Sequence, residues 1–166
     1  MANIIVLGKN ETIHYLLTSK GRNVDYIVSI GGPSESTPHA VSAKKHIRLQ
    51  FDDVECREST SWPRYGMLYP PTLSDIEVLV KHAPDILKVH GTVIVHCAAG
   101  VSRSAACAYI LKCMQKGPGH EAECLFELEE QRPQIHPNLR VIELGQELLG
   151  SDYDLISGYK QWKKGF

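Results

Sequence analysis

Short apolar runs alternate with amphipathic segments along the first two thirds of the chain. The runs are rich in Ile, Val and Leu, and the first three are followed directly by Gly or Asp, a pattern that is typical of buried strands. They predict strands over residues 4–7, 25–30, 46–51 and 92–95. The last run, Thr-Val-Ile-Val, is entirely β-branched, which favours a strand that is covered on both faces.

The amphipathic segments predict helices, which follow one another without strands in the last third of the chain. Apolar positions at helical spacing predict a helix over residues 11–20, with Gly21 as its stop. Thr72 is a suitable N-cap for a helix to about residue 88, in which Pro84 is expected to introduce a kink. Further helices are predicted over residues 104–116, 121–130 and 138–149.

The remaining segments lack a regular period. Residues 33–44 and 54–71 are rich in Pro, Ser and Thr and predict loops, and a long ordered loop such as the second is often functional.

The 166 residues fit a single domain, which we place at residues 1–150, followed by a partly ordered C-terminal tail at residues 151–166.

Strands that first alternate with helices, and helices alone afterwards, predict an α/β fold with a mostly parallel central sheet flanked by helices. Ligands of such sheets bind at the carboxyl ends of the strands. Cys97 follows one predicted strand, and Asp52 and Asp53 follow another. If these strands are parallel, the cysteine and both aspartates face the same crevice.

Composition narrows the classes of partner. Lys and Arg number 18 and Asp and Glu number 19, which gives a formal net charge of −1 at pH 7. This balance predicts neither nucleic acid nor an anionic membrane as a partner. The eight histidines are scattered and form no His-Glu-x-x-His or His/Cys cluster, so we predict no metal site and no cofactor.

The cysteines and the N-terminal residues predict a compartment. The five cysteines are odd in number and form no Cys-x-x-Cys pair, which favours a reducing cytosol over a disulfide framework. The first residues lack the basic region of a signal peptide, and no stretch approaches the roughly 20 apolar residues of a membrane-spanning helix. We therefore predict a soluble cytoplasmic protein.

The chemistry of the chain is concentrated in the nine residues 96–104, which read His-Cys-Ala-Ala-Gly-Val-Ser-Arg-Ser. They lie between the β-branched strand and a helix, and a loop at a helix N-terminus presents several backbone N–H groups to one anion. The helix terminus and the Arg103 guanidinium lower the pKa of the Cys97 thiol, so that a thiolate attacks phosphorus. Arg103 matches two phosphate oxygens, and Gly100 lets the N–H groups turn inward.

These residues resemble the protein tyrosine phosphatase superfamily, whose signature is His-Cys, five residues, then Arg-Ser or Arg-Thr. The resemblance extends from about residue 4 to 149 and is greatest to compact dual-specificity-type enzymes of a bacterial predicted tyrosine phosphatase type. It implies a phosphate loop, residues 97–102, between the central strand and the following helix. It also implies phosphorylated proteins or peptides as substrates, with phosphate and other oxyanions as inhibitors.

The resemblance also implies roles for individual residues. The Ser104 hydroxyl hydrogen-bonds the thiolate and eases its departure from phosphorus in the second step, and His96 supports the loop. The phosphoryl group lies against the loop residues and the arginine, which are Ala98, Ala99, Gly100, Val101, Ser102 and Arg103. Ser102 has a second interpretation as the N-cap of the helix. The segment from Arg132 to Asn138 resembles one that packs behind the loop, and its Pro-Asn pair is also an ordinary helix start.

The inner residues of the loop narrow the substrate class. Phosphoinositide phosphatases with this signature tend to carry lysines inside the loop, whereas residues 98–102 are uncharged here. This difference favours a singly phosphorylated group such as phosphotyrosine over a phosphoinositide. The sequence leaves open whether the substrate is phosphotyrosine alone or also phosphoserine and phosphothreonine.

A general acid must protonate the leaving oxygen. The triplet Trp62-Pro63-Arg64 occupies the place of a Trp-Pro-Asp acid motif, but an arginine cannot donate a proton at neutral pH. Asp53 is our first candidate because dual-specificity-type enzymes carry their acid just after a strand. Asp52 is second, and Glu55 and Glu58 follow. The structural alternative is that both aspartates only cap or turn the chain.

Four other protein classes are alternatives to this interpretation. The first is a catalytically silent phosphotyrosine-binding module of the same fold. A rhodanese-type sulfurtransferase also has a cysteine loop between strand and helix, but usually with another spacing and without the Arg-Ser ending. Arsenate reductases and low-molecular-weight phosphatases carry their cysteine loop near the N-terminus and are disfavoured.

Overall fold

The computed structural model describes residues 1–55, 61–62 and 66–165. Its strands are β1 (Asn3–Gly8), β2 (Val24–Gly31), β3 (His46–Gln50), β4 (Ser61–Trp62), β5 (Gly66–Met67) and β6 (Thr92–Cys97). Its helices are α1 (Lys9–Leu17), α2 (His39–Ser42), α3 (Leu73–Leu87), α4 (Arg103–Lys116), α5 (Glu121–Gln131), α6 (Leu139–Leu149) and α7 (Leu155–Lys164).

The main sheet contains parallel strands in the order β1-β6-β2-β3, which confirms the predicted α/β fold. The β-branched strand β6 lies between two neighbours, and all of its residues are buried. Gly8 of β1 pairs with Cys97 at the carboxyl end of β6. Since all four strands run the same way, Gly8, Gly31, Gln50 and Cys97 end at one edge of the sheet.

Helices cover both faces of the sheet. On one face α1 and α2 close a small apolar cluster around Val24, Ile27, Val41 and Ile94. On the other face α3 to α7 enclose the main core. Helix α4 lies at the centre of this core, with residues 103–113 buried. Its N-terminus is therefore fixed directly above the carboxyl edge of β6.

The N-terminal helix departs from its predicted bounds. Helix α1 begins at Lys9, immediately after β1, and ends at Leu17, where the Thr18 N–H donates to the Tyr15 carbonyl at 3.1 Å. A 3₁₀ turn, Ser19–Asn23, follows. The prediction that Gly21 is the helix stop is wrong, because Gly21 lies inside this turn. A Cβ at Gly21 would approach the Leu16 carbonyl oxygen to 2.4 Å, so the glycine permits a close backbone approach.

The segment predicted as a partly ordered C-terminal tail contains helix α7. The Asp154 side chain caps it by accepting from the Ser157 N–H at 3.0 Å. Leu155, Tyr159 and Trp162 recur at helical spacing and are buried against the main core. The carbonyl of Leu155 also accepts from the Tyr109 hydroxyl of α4 at 2.7 Å. The last helix is thus tied to the helix that follows Cys97.

Leu155→Ala is expected to lower the free energy of unfolding by about 2–5 kcal/mol, because Leu155 is fully buried and its truncation leaves a cavity. Gln161→Ala on the exposed face of α7 is the matched control and is expected to change it by less than about 0.5 kcal/mol. Urea denaturation followed by circular dichroism measures both. Equal midpoints for the two variants would contradict a packed α7.

The two predicted loops contain short regular elements. Helix α2 follows Pro38 within residues 33–44, and β4 pairs antiparallel with β5 within residues 54–71. Both lie below the length at which a hydrophobic period becomes visible. The helix at Thr72 is confirmed, since the Thr72 and Asp75 side chains each accept from the other's backbone N–H. Within the described ranges, no helix combines the length and the apolarity that a membrane crossing needs.

Candidate active site

The phosphate loop connects the last residue of β6 to the first turn of α4. Gly100 has φ +68°, and a Cβ at this position would lie 2.5 Å from the backbone nitrogen of Gly8. Only glycine combines this backbone conformation with such a close approach to β1. This conformation accords with the predicted role of Gly100, in which the loop turns its N–H groups inward without a Cβ clash.

Hydrogen bonds from outside the phosphate loop hold the backbone carbonyls of its residues 98–102. The donors, in order along the loop, are Lys9 N at 3.0 Å, Arg132 Nη2 at 3.1 Å, Arg132 Nε at 2.6 Å, His136 N at 2.8 Å and Asn138 N at 3.1 Å. The carbonyl and the N–H of a trans peptide point in opposite directions. Anchoring each carbonyl outward therefore turns the following N–H groups toward the inside of the loop.

Cys97 lies at the floor of this loop and is 3% exposed. Its Sγ is 3.1 Å from the Ser104 Oγ, and the Gly100 N–H donates to it at 3.3 Å. Burial alone would raise the pKa of the Cys97 thiol. The hydrogen bonds from the Ser104 hydroxyl and from the Ser104 and Gly100 N–H groups, with the Arg103 charge, outweigh burial and lower the pKa below its usual value. The site therefore favours a thiolate.

Arg103 is the first residue of α4, and its side chain is buried beside the loop. Its Nη1 donates to the Phe51 carbonyl at 3.0 Å and lies 3.8 Å from the Glu35 Oε1. Phe51 directly follows β3, so the strand edge sets the orientation of the guanidinium. A planar fork fixed in this way matches two oxygens of a phosphoryl group.

Glu35 is a residue of the site that the sequence did not predict. It lies in the segment interpreted as a loop, and its Oε1 accepts from the Gly32 N–H at 3.0 Å. Arg48 of β3 donates from Nη2 to the Glu35 carbonyl at 2.7 Å and from Nη1 to the Ser29 hydroxyl at 2.8 Å. No periodic pattern marks Glu35, and its place shortly after the end of β2 is the signal that could have indicated it.

His96 is buried beneath the loop, where its Nδ1 lies 3.3 Å from the Cys97 carbonyl oxygen. Burial, reinforced by the charges of Arg48 and Lys9, lowers the pKa of His96 to about 4. The imidazole is therefore neutral at physiological pH and donates from Nδ1 to the carbonyl. This contact accords with the predicted role of His96 as a support of the loop.

Asp53 is hydrogen-bonded to the phosphate loop itself. Its Oδ1 accepts from the Ser102 hydroxyl at 2.7 Å and from the Asn138 side-chain amide at 2.9 Å. The Ser102 hydroxyl makes no cap hydrogen bond to α4, although Ser102 occupies the N-cap position. Asn138 caps α6 through its amide oxygen, which accepts from Val141 N at 3.0 Å. One side chain thus joins the start of α6 to Asp53.

The other candidate acids make different contacts. Asp52 Oδ2 accepts from Tyr69 N at 2.8 Å, and Glu55 Oε1 accepts from Leu139 N at 3.1 Å. Glu58 and Arg64 lie outside the described residues. Of the three described candidate acids, which are Asp52, Asp53 and Glu55, Asp53 is the one hydrogen-bonded to the phosphate loop.

Within the ranges that the structure describes, no group of three or more His, Cys, Asp or Glu side chains is placed to hold a metal ion.

A matching family model and two relatives by sequence relate the chain to known proteins. The model described as "Dual specificity phosphatase, catalytic domain" matches residues 5–144. Dual specificity protein phosphatase 14 of Mus musculus is 34% identical over 113 residues, which cover 54% of this chain and 51% of that protein. Tyrosine-protein phosphatase yvh1 of Schizosaccharomyces pombe is 25% identical over 159 residues, 92% of this chain and 42% of that protein. The chain thus spans about half the length of these curated relatives.

Solved structures share the fold. The human tyrosine phosphatase-like serine/threonine/tyrosine-interacting protein superposes with a TM-score of 0.64 at 18% identity, covering 89% of this chain and 91% of that chain. Human DUSP28 superposes with a TM-score of 0.62 at 14% identity, covering 95% of this chain and 94% of that chain. At such low identity, these matches establish the architecture alone.

Proposed function

The chain belongs to the dual-specificity phosphatase family, and from this premise we propose that it hydrolyses phosphotyrosine in proteins through a cysteinyl-phosphate intermediate. The observation that carries the proposal is the environment of the Cys97 sulfur. It lies at the floor of a loop with inward N–H groups, and its pKa is lowered by hydrogen bonds and by Arg103.

In the first step the Cys97 thiolate donates an electron pair to phosphorus while the bond from phosphorus to the leaving oxygen breaks. The inward N–H groups and Arg103 stabilise the charge on the equatorial phosphoryl oxygens. Asp53 donates its proton to the leaving oxygen, which departs as a neutral phenol. The products of this step are the alcohol, cysteinyl-phosphate and the Asp53 carboxylate.

In the second step a water oxygen attacks phosphorus, and the Asp53 carboxylate accepts the proton that the water loses. The sulfur–phosphorus bond breaks, and its electron pair returns to the Cys97 sulfur. The Ser104 hydroxyl, 3.1 Å from that sulfur, donates to the departing thiolate. Inorganic phosphate leaves, and the enzyme is restored without any cofactor.

The charges around the loop support a singly phosphorylated substrate. Residues 98–102 are uncharged, and each described guanidinium beside the loop already contacts a carboxylate or a carbonyl. Arg103 lies near Glu35, Arg132 is paired with Glu11, and Arg48 donates to Ser29 and to the Glu35 carbonyl. Within the part of the chain that the structure describes, little guanidinium charge is then left for a second phosphate group.

A phosphotyrosine peptide is therefore expected to give a kcat/KM at least about tenfold higher than a soluble phosphoinositide, a difference of about 1.4 kcal/mol in transition-state binding. Phosphate release from both substrates, and from a phosphothreonine peptide, measures the preference and tests dual specificity. A preference for the phosphoinositide would contradict the charge argument.

The thiol of Cys97 is expected to be alkylated with a midpoint pH below about 8.5, the ordinary value for cysteine. Ser104→Ala removes the hydroxyl that lowers the pKa and is expected to move this midpoint upward. The rate at which iodoacetamide adds to the protein as a function of pH, followed by mass spectrometry, measures both, with Cys97→Ser as the blank for the other thiols. An unchanged midpoint in Ser104→Ala would exclude the hydroxyl as a stabiliser of the thiolate.

Turnover of a chromogenic aryl phosphate distinguishes an enzyme from a silent phosphotyrosine-binding module. Its leaving group needs little protonation, so an intact thiolate and Arg103 suffice for hydrolysis. Absence of turnover together with tight binding of a phosphotyrosine peptide would favour the module.

Membership of a bacterial branch and a cytoplasmic location remain predictions from the sequence.

A further inference from the structure

A chain of polar contacts connects the start of α1 to the floor of the candidate site. Glu11 lies in the first turn of α1, and its Oε1 accepts from the Gly8 N–H at 3.0 Å. Gly8 ends β1 and pairs with Cys97 across the sheet. The Glu11 carboxylate is therefore held at a fixed point behind the phosphate loop.

Arg132 joins this carboxylate to the loop. Its Nη1 donates to the Glu11 Oε2 at 3.0 Å and its Nη2 to the Glu11 Oε1 at 2.5 Å, which is a two-point pairing. The Arg132 side chain is only 10% exposed, whereas that of Glu11 is 51% exposed. The hydrogen bond from Arg132 lowers the pKa of Glu11, so the carboxylate is ionised at neutral pH.

The remaining N–H groups of Arg132 reach the loop carbonyls. Nε donates to the Gly100 carbonyl at 2.6 Å, and Nη2 donates to the Ala99 carbonyl at 3.1 Å. The Ala99 carbonyl and the Gly100 N–H belong to one peptide unit and point in opposite directions. Holding that carbonyl on Arg132 aims the Gly100 N–H at the Cys97 sulfur, 3.3 Å away.

We propose that Glu11 is a positioning residue of the phosphate loop, which fixes Arg132 against the Ala99 and Gly100 carbonyls and so aims the loop N–H groups at sulfur and phosphate. The effect on turnover rests on the proposed phosphatase function. The effects on the thiol and on anion binding do not require turnover.

Geometry and charge make opposite predictions for the loss of Glu11. Glu11→Gln removes a negative charge and leaves Arg132 as an unneutralised cation beside the loop. By charge alone, the thiolate would become more stable and an anion would bind more tightly. A loosened Arg132 instead releases the two carbonyls, misaligns the N–H groups, raises the pKa of Cys97 and weakens anion binding.

The first measurements are the pH dependence of Cys97 alkylation by iodoacetamide and the calorimetric affinity for inorganic phosphate. In Glu11→Gln we expect the alkylation midpoint to move to higher pH. We also expect the dissociation constant for phosphate to rise roughly tenfold, the order of one lost charge-assisted hydrogen bond. Glu11→Asp keeps the charge but is one methylene shorter. As in Glu11→Gln, we expect both the alkylation midpoint and the dissociation constant for phosphate to rise.

Glu127→Gln on α5 is the matched control. Glu127 is a partly buried carboxylate paired with Lys112 at 3.0 Å and with Lys116, so its loss removes a comparable ion pair within the helical layer. We expect thermal stability to fall in this control while the alkylation midpoint and the phosphate affinity stay at wild-type values. The control thus separates positioning of the loop from general stability.

Two results would overturn the proposal. An unchanged midpoint and affinity in both Glu11 variants would reduce Glu11 to a structural residue. A lower midpoint with tighter phosphate binding in Glu11→Gln would assign it a purely electrostatic effect. If wild-type protein binds phosphate and has an acidic thiol but hydrolyses no phosphotyrosine peptide, the proposed function fails while the role of Glu11 is still tested.

Discussion

Hydrolysis of p-nitrophenyl phosphate is expected to fall by about 10⁴-fold or more in Cys97→Ser, while inorganic phosphate still binds. The contacts that lower the pKa of the sulfur cannot ionise a serine hydroxyl at neutral pH, so the nucleophile is lost. The anion site survives because Lys9 and Arg132 still hold the loop carbonyls and Phe51 still orients Arg103. Initial rates and phosphate calorimetry on the same preparation measure both effects.

Cys107→Ser is the matched control for this experiment. Cys107 lies in α4, one turn beyond Ser104, and its burial raises the pKa of its thiol, so that it remains protonated. This variant is expected to retain hydrolysis. Turnover above the buffer rate in Cys97→Ser would exclude the cysteinyl-phosphate mechanism. Loss of phosphate binding in that variant would mean that the sulfur is needed to shape the loop.

Local patterns predicted the elements that carry the site. The β-branched run of β6, the glycine at position 100 and the helix after Arg103 are signals contained within a dozen residues. Each reflects a local physical requirement: burial on both faces, a positive φ, and a helix N-terminus beside the anion. Parallel strand order then placed Asp53 close enough to contact Ser102.

Contacts between distant positions could not be predicted in the same way. Glu11 and Arg132 are 121 residues apart, and neither spacing nor composition indicates that they form a pair. Leu155, Tyr159 and Trp162 recur at helical spacing, but the ten-residue helix α7 also contains Gly158, and three apolar positions alone do not show that the segment is ordered. The local pattern indicates a helical face, but the stability of so short a helix depends on the apolar surface of the main core, which the local sequence does not show.

Asp53→Asn is expected to lower kcat on a phosphotyrosine peptide by roughly 10²–10⁴-fold, the usual contribution of a positioned general acid. The same variant is expected to lose far less on an aryl phosphate with a strongly acidic phenol, because that oxygen needs no proton. The measurement is kcat as a function of the pKa of the leaving phenol. A steeper dependence than in wild type is the expected signature of a missing acid.

The structure favours Asp53 because both of its described hydrogen bonds end on one oxygen. Ser102 and Asn138 donate to Oδ1, so a proton carried on Oδ2 leaves both contacts intact while the carboxyl group remains beside the loop. Asp52, by contrast, accepts from Tyr69 through Oδ2 and donates its own N–H to the Tyr69 carbonyl at 2.7 Å. These contacts direct Asp52 toward the segment before α3.

Asp52→Asn and Glu55→Gln are the matched controls. In both, kcat is expected to depend on the pKa of the leaving phenol as it does in the wild-type protein. If Asp52→Asn alone gives the steep dependence, the acid is the neighbouring residue and the contact of Asp53 with Ser102 is structural. If none of the three variants does, the acid is another residue of the 54–71 loop, such as Glu58, or the chain has no general acid. If the chain has no general acid, the phosphate loop would still bind phosphotyrosine through its N–H groups and Arg103, and a binding module would be the better description of this chain.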